Sequence, residues 1–275
     1  MIKLEKKDYQ KAESSLARVS INNLFARSVI KHHVDGIVHA DSDSKPSAFH
    51  VVHPYGMSLL FGSTANRSFN RQFTKYMLNR TERLNRSEWL QAYPERWNHL
   101  ISKMLANKLV KVSGEICVEK ETSVFEFSRV LFKFDPNLFI RNKVVFRFPG
   151  INIRRTDPDV FQTMSGHVIP RFFWKDASQF SRNGIGFSAY TNNNAISTAF
   201  SSFLHGNKLE IGIETVPEFR QQGLAIATCS ALIDYCLKNK LEPVWSCNLQ
   251  NRGSYHLALR LGFIPVKTLP YYRLP

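Results

Sequence analysis

The sequence predicts an α+β protein, in which a mixed, mostly antiparallel sheet with flanking helices is preceded by a second α+β domain. Three observations carry this expectation. A chain of 275 residues exceeds one typical domain and suits two. In the second half, three runs rich in β-branched and aromatic residues follow one another across short polar turns, which is the pattern of antiparallel strands. A long helical pattern then separates the third run from a further strand. Such a strand–helix–strand crossover brings in a parallel neighbour and makes the sheet mixed.

Residues 1–146 form the first expected domain. Helical spacing is read over Tyr9–Val34, Ser68–Leu78 and Trp89–Ala106. Ser47–His53 and Met57–Phe61 read as a strand pair turning at Pro54-Tyr55-Gly56, with the polar turn Asp41–Pro46 before it. A further strand pair is expected over Lys111–Val118 and Thr122–Phe134. The boundary is placed within Asp135–Gly150, where Pro136 and Pro149-Gly150 interrupt the pattern.

Residues 147–275 form the second. Ile151–Arg155 reads as a strand, and Asp157–Met164 as a helix with Asp157 as N-cap and Pro158 at the first helical position. Trp174–Arg182 is a second helical stretch. Strands follow at Gly184–Tyr190, Ala195–Phe203 and Lys208–Thr215, with polar turns at Thr191–Asn194 and His205–Asn207. A helix over Gly223–Lys238, a strand at Pro243–Cys247, a short helix to Leu261 and a last strand complete the chain.

Hydrophobic residues make up 43% and charged residues 21%, the composition of an ordinary globular chain. Apolar stretches are short and interrupted, so none reads as a membrane span, and Met1–Gln10 lacks the apolar run of a signal peptide. Four cysteines without a C-x-x-C pair read as free thiols in a reducing compartment, with the cytoplasm as the default. The net charge of +15 favours encounter with anionic partners, nucleic acid and phosphorylated small molecules alike. The basic residues cluster only in pairs such as Lys6-Lys7 and Arg154-Arg155. No RNA-binding signature or Lys/Arg block argues specifically for nucleic acid.

The stretch that carries chemistry runs from Lys208 to Leu241. A strand leads through Val216-Pro217-Glu218-Phe219 into Arg220-Gln221-Gln222-Gly223-Leu224-Ala225, which opens a helix. Unsatisfied N–H groups and the helix dipole make such a start a place for an anion. Gly223 lets the backbone approach a phosphate, small Ala225 leaves room, and Arg220 adds a positive charge. The loop is neither a P-loop nor Gly-x-Gly-x-x-Gly. By itself it says only that a phosphate fits.

The run Arg220–Ala225 resembles the Arg/Gln-x-x-Gly-x-Gly/Ala signature of the GNAT acyltransferase superfamily, and Asn251–Ser254 followed by Leu261-Gly262-Phe263 resembles its second motif. Phe172–Trp174, Gly184–Phe187, Leu209–Thr215 and Trp245–Cys247 resemble more narrowly a GNAT subfamily of zwittermicin-type antibiotic self-resistance acetyltransferases. Gly36–Asp41 and Pro46–Phe49 fit its N-terminal region. The resemblance implies acetyl-CoA as cofactor and a primary amine of a small molecule, such as an antibiotic or an amino-acid-like metabolite, as acceptor. It puts the pyrophosphate on the backbone of Gln221, Gln222, Gly223, Leu224 and Ala225 beside Arg220, and pantetheine along the strand end at Ile213, Thr215 and Val216. Asn251 and Ser254 would flank the pantetheine and adenosine arm. Two positions depart from the pattern. Gln221 stands where glycine is usual, which suits a residue without positive φ, and Ala258 stands where a tyrosine is frequent. Tyr255 is a substitute by composition, or a packed aromatic.

N-acylation needs a free amine, so a carboxylate is the expected helper. Glu210 and Glu214 share one face of their strand, roughly 13 Å apart. Glu210 is the first candidate base and Glu214 the second, with solvated strand charges as the plain alternative. Ser197 and Ser201 share a face of the preceding strand and are candidates to line the acceptor site. Cys247 lacks an adjacent histidine and reads as packing. His32, His33, His39, His50 and His53 have no recognisable metal spacing, so no metal is expected. Two rival functions remain open. One is an acyltransferase acting on a protein amine or aminoacyl-tRNA, and the other is a CoA-binding module without catalysis. The first domain is expected to be an accessory half, degenerate and GNAT-like or a docking surface, and the oligomeric state is left open.

Overall fold

The computed structural model describes residues 1–79, 87–112, 123–144 and 148–275. Cys117, much of the expected strand 111–118 and the start of that at 122–134 lie outside them. The chain divides into two compact units. The first comprises Met1–Val130, Asn248–Gln250 and Thr268–Pro275, and the second Leu131–Cys247 and Asn251–Lys267.

The first unit opens with β1 (Ile2–Lys3), a 3-10 turn over Lys6–Ala12, α1 (Glu13–Leu16) and α2 (Leu24–Ile30). The single helix expected over Tyr9–Val34 is thus broken. Asn22 caps the backbone of Leu24 and Asn23 turns back to the Val19 carbonyl, local bonds that compete with helix continuation. Strands β2 (Ile37–Ala40), β3 (Ala48–Val52) and β4 (Met57–Gly62) then pair antiparallel in sequence. Gly56, with φ +96°, makes the expected turn. Helix α3 (Arg67–Leu78) follows, its N-terminus closed by the Asn66 side chain, which accepts from the backbones of Ser68 and Phe69. Trp89–Tyr93, expected as helix, is strand β5, and only Arg96–Leu105 is helical, as α4. Pro94 stops a helix from running through, and the segment is buried on both faces beside β4, where apolar runs do not reveal their period. Strands β6 (Leu109–Lys111) and β7 (Val124–Phe134) pair in parallel.

The second unit continues with α5 (Pro136–Asn142), β8 (Asn152–Arg155), α6 (Val160–Thr163) and α7 (Ala177–Asn183). Asp157 does not cap α6 as expected. Its carboxylate is drawn to Arg154 instead, and the helix begins two residues beyond Pro158. Strands β9 (Gly186–Thr191), β10 (Asn194–His205) and β11 (Lys208–Thr215) form the antiparallel core of a sheet ordered β12-β11-β10-β9-β8. Turns with positive φ at Asn192, Asn193 and Gly206 join them. Helix α8 (Leu224–Lys238) crosses back to β12 (Glu242–Val244), which lies parallel to β11. Then come β13 (Ser246–Asn248), α9 (Arg252–Arg260) and β14 (Phe263–Arg273).

Both units string the same parts in the same order. Each has a first strand, helical turns, three antiparallel strands, a helix, a strand parallel to the third, and a further helix. The last residues of β14 return to the first unit, where Tyr272 and Arg273 pair with Leu90 and Trp89 of β5. No helix among the described residues is long and apolar enough to cross a membrane.

Candidate active site

The alternation of β11 decides which side chains meet which face. Leu209, Ile211, Ile213 and Thr215 turn one way, and Thr215 closes a hydroxyl chain through Ser197 (2.8 Å) toward Thr228 of α8 (3.4 Å). Glu210, Gly212 and Glu214 turn the other way. Gly212 is covered by the Phe200 ring, against which a Cβ would clash at 2.6 Å. Ser197 and Ser201 are therefore interior groups and not acceptor-site lining. Both are fully buried, and Ser201 accepts from the backbone of Ile185.

β11 and β12 stay paired for only three residues, Lys208↔Glu242, Leu209↔Pro243 and Glu210↔Val244. β11 then runs on through Ile211–Thr215 with no further register to β12 among the described residues. An extended ligand pairs with such a strand edge through its amides. At the head of this edge the chain makes a 3-10 turn over Pro217–Phe219, and Gln221 and Gly223 take φ +63° and +85° before α8 begins. No side chain caps α8. Its first N–H groups and its dipole thus face outward with Gly223, while Leu224 is buried against Ala189 and Ile196. The left-handed Gln221 corrects the expectation that this position needs no positive φ. It holds a conformation costing a non-glycine residue about 1 kcal/mol.

Arg220 is tied into the loop. Its Nε donates to the Thr215 carbonyl (3.0 Å) and its Nη2 to Glu214 (3.2 Å). Gln222 donates to the Glu218 carbonyl. Glu214 carries more than Arg220, since its Oε2 also accepts the backbone N–H groups of His167 (2.8 Å) and Val168 (3.1 Å). Glu210, buried where β11 and β12 part, accepts the Ser246 hydroxyl (3.0 Å). Sequence reasoning held Ser246 only inside the Trp245–Cys247 resemblance, with no role given to it, and did not single out the 166–168 segment. Nothing in the spacing of either announces a partner on a distant strand.

Asn251 caps α9 by accepting from the backbone of Ser254, and Ser254 in turn accepts from the Trp245 indole (3.2 Å). These two residues thus shape the first turn of α9. Ala258 is wholly buried, and Tyr255 packs edge-on against Phe132 with 5.4 Å between ring centres, a packed aromatic. Cys229, Cys236 and Cys247 are free and buried, and burial pushes the Cys236 thiol up to about 12 and Cys229 further in the same direction.

Of the five histidines that looked metal-like by count, His50 and His53 are fully buried in the first unit, His39 is half-buried, and His32 and His33 are exposed. Glu88 accepts from Ser58 (2.6 Å) and Tyr76 (2.6 Å) and pairs with His50 (3.0 Å). Burial works against its charge, and these partners nonetheless hold its carboxyl below the usual carboxylate range. Burial pushes His53 down to about 3, in keeping with its Nδ1 accepting the Tyr55 N–H.

The sequence profile of the GNAT acetyltransferases matches residues 15–272. An uncharacterized N-acetyltransferase of Bacillus subtilis (strain 168), YdfB, is 26% identical over 253 residues, covering 91% of this chain and 88% of its own. Among solved structures, a GCN5-related N-acetyltransferase-like protein from Streptococcus suis 89/1591 superposes with a TM-score of 0.70 at 18% identity, covering 98% of this chain and all of its own. A tandem GNAT protein from the clavulanic acid biosynthesis pathway superposes at 0.61 and 11% identity, over 98% and 96% of the two chains. At these identities the likeness to solved structures is one of fold.

Proposed function

The chain belongs to the GNAT acetyltransferase family, and from that premise we propose that its second unit binds acetyl-CoA along β11 and acetylates a primary amine of a small molecule. The observation that carries this reading is the early end of β11–β12 pairing beside an uncapped helix start. On this reading the backbone N–H groups of Gln221, Gln222, Gly223, Leu224 and Ala225 hold the pyrophosphate, and the edge Ile213–Val216 pairs with pantetheine. Asn251 and Ser254 take their place beside the same arm by fixing the first turn of α9. The resemblance of Leu209–Thr215 and Trp245–Cys247 to self-resistance acetyltransferases supports a small acceptor, and three buried free thiols suit a reducing cytoplasm.

Glu210 is the base in this reading. It stands where β11 and β12 separate, and Ser246 orients its carboxylate. Glu214, whose oxygens already take three donors, is the poorer acceptor of a further proton. The amine nitrogen attacks the thioester carbon, its proton passes to Glu210 directly or through water, and the C–S bond breaks. The departing thiolate takes its proton from water, since Ala258 offers no phenol. The first unit, with the same order of elements but with β4 and β5 paired over five residues, is read as a degenerate copy that supports the second.

Calorimetry with acetyl-CoA, joined to a thiol-release assay over a panel of primary amines, tests this reading. Binding with turnover is expected. Glu210→Gln should lower turnover about a hundredfold with acetyl-CoA affinity intact, and raising the pH toward the amine's own pKa should restore it. Full activity of that variant at neutral pH would remove Glu210 from the mechanism. Binding with no turnover on any amine would favour a non-catalytic CoA module, the reading that Ala258 invites. Salt-sensitive binding of RNA would favour a macromolecular acceptor.

A further inference from the structure

We infer that Glu214 is a positioning residue that clamps Gly166–Val168 over the face of β11 and links this segment, through Arg220, to the cofactor loop; the link rests on the acetyl-CoA reading above.

The segment is exposed at Ser165, Gly166 and His167, so burial of apolar surface does not order it. Hydrogen bonds do. From β11, the Glu214 carboxylate accepts the N–H groups of His167 and Val168, bonds of the charge-assisted kind. From behind, Arg171 donates to the carbonyls of Gln162 (2.8 Å) and Met164 (2.7 Å). The fit is close enough to demand glycine. Gly166 has φ +142°, and a Cβ there would stand 2.5–2.7 Å from the Cγ, Cδ and Oε2 of Glu214. An exposed turn held from two sides keeps a surface in shape beside the strand face that also carries Glu210.

The remaining partner of the carboxylate is Arg220, the residue that enters the left-handed loop. A pyrophosphate at Gly223 competes with Glu214 for that guanidinium. Drawing Arg220 away leaves the carboxylate's charge to the two amides alone and strengthens those bonds. Cofactor occupancy thereby stiffens the segment that lies over the Glu214 end of the strand face shared with the proposed base.

Amide hydrogen exchange at His167 and Val168, followed by NMR with and without acetyl-CoA, tests both the clamp and the link. In the native protein acetyl-CoA should slow exchange at both amides severalfold. In Glu214→Gln both should exchange about tenfold faster without cofactor, and acetyl-CoA should no longer slow them. Gly166→Ala, which keeps every residue of β11 and the loop but sets a Cβ against the Glu214 carboxylate, should loosen the same two amides and serves as the second variant if Glu214→Gln does not fold. Equal exchange in native and variant proteins without cofactor would overturn the clamp. Calorimetric binding of acetyl-CoA to the native protein with unchanged exchange at 167 and 168 would overturn the link while leaving the cofactor reading in place. A native protein that binds no acetyl-CoA overturns the cofactor reading and the link together, and the cofactor-free exchange still decides the clamp.

Discussion

In the first unit β4 and β5 remain paired over five residues, from Met57↔Trp89 to Phe61↔Tyr93, and in the second β11 and β12 remain paired over three. The helices that follow β4 and β11 differ in the same sense. Asn66 closes the start of α3 with its own side chain, whereas Gly223 opens α8 with none. One order of elements thus yields a closed unit and an open one. Among the described residues, the first unit leaves less of this strand edge and helix start unpaired than the second. On the proposed reading, the unit whose strand edge and helix start are left unfinished offers both to an extended, phosphorylated ligand.

The sharpest way to break this comparison is to close the open unit. Gly223→Asp puts a side chain and a negative charge where phosphate is expected, on a residue with φ +85°. The rise in melting temperature that millimolar acetyl-CoA gives the native protein should disappear altogether. An unchanged rise would mean that the ligand lies elsewhere.

A second test separates the units by acid. His53 is fully buried in the first unit, with its pKa pushed down to about 3 by burial, while His167, His205 and His256 of the second unit are exposed. The unfolded chain takes up a proton below its ordinary pKa of about 6.5 that native His53 refuses. Stability from this group is therefore complete above that pH and is lost as the pH falls. Between pH 6.5 and 5 the loss is about 1.6 kcal/mol. Glu88, shifted in the direction usual for a paired carboxylate, adds its loss only as the pH falls below the ordinary carboxylate range. Hydrogen exchange at pH 5 should show the first unit losing protection before the second. Burial holds His39 of the same unit down to about 3 as well, so His53→Gln should roughly halve that dependence, and the reverse order of loss would contradict the assignment.

The smallest effect comes from opening the closed unit. Asn66→Ala removes the cap of α3 and should cost about 1 kcal/mol in denaturant unfolding. The response to acetyl-CoA should stay as it was. A changed response would show that the start of α3 takes part in binding.

By itself the sequence determined the ladder of the second unit and its phosphate loop. Lys208–Thr215 alternates strictly, the turns before it carry Asn and Gly, and the helix period begins right after Gly223. These are local signals, each contained within a few residues of chain. It also singled out Glu210 and Glu214, because residues four apart on a strand share a face whatever surrounds them. Tertiary structure alone decided what those carboxylates touch. Ser246 reaches Glu210 from 36 positions along the chain, and His167 reaches Glu214 across 47. It decided equally that Trp89–Tyr93 is strand, since an apolar run flanked by strands on the sheet looks the same in sequence as a buried helix. The return of Thr268–Pro275 to the first unit was decided in the same way. Period and turn chemistry act between neighbours and can be read from a string of residues, whereas the pairing of distant segments depends on which surfaces are left to bury once the local pieces have formed.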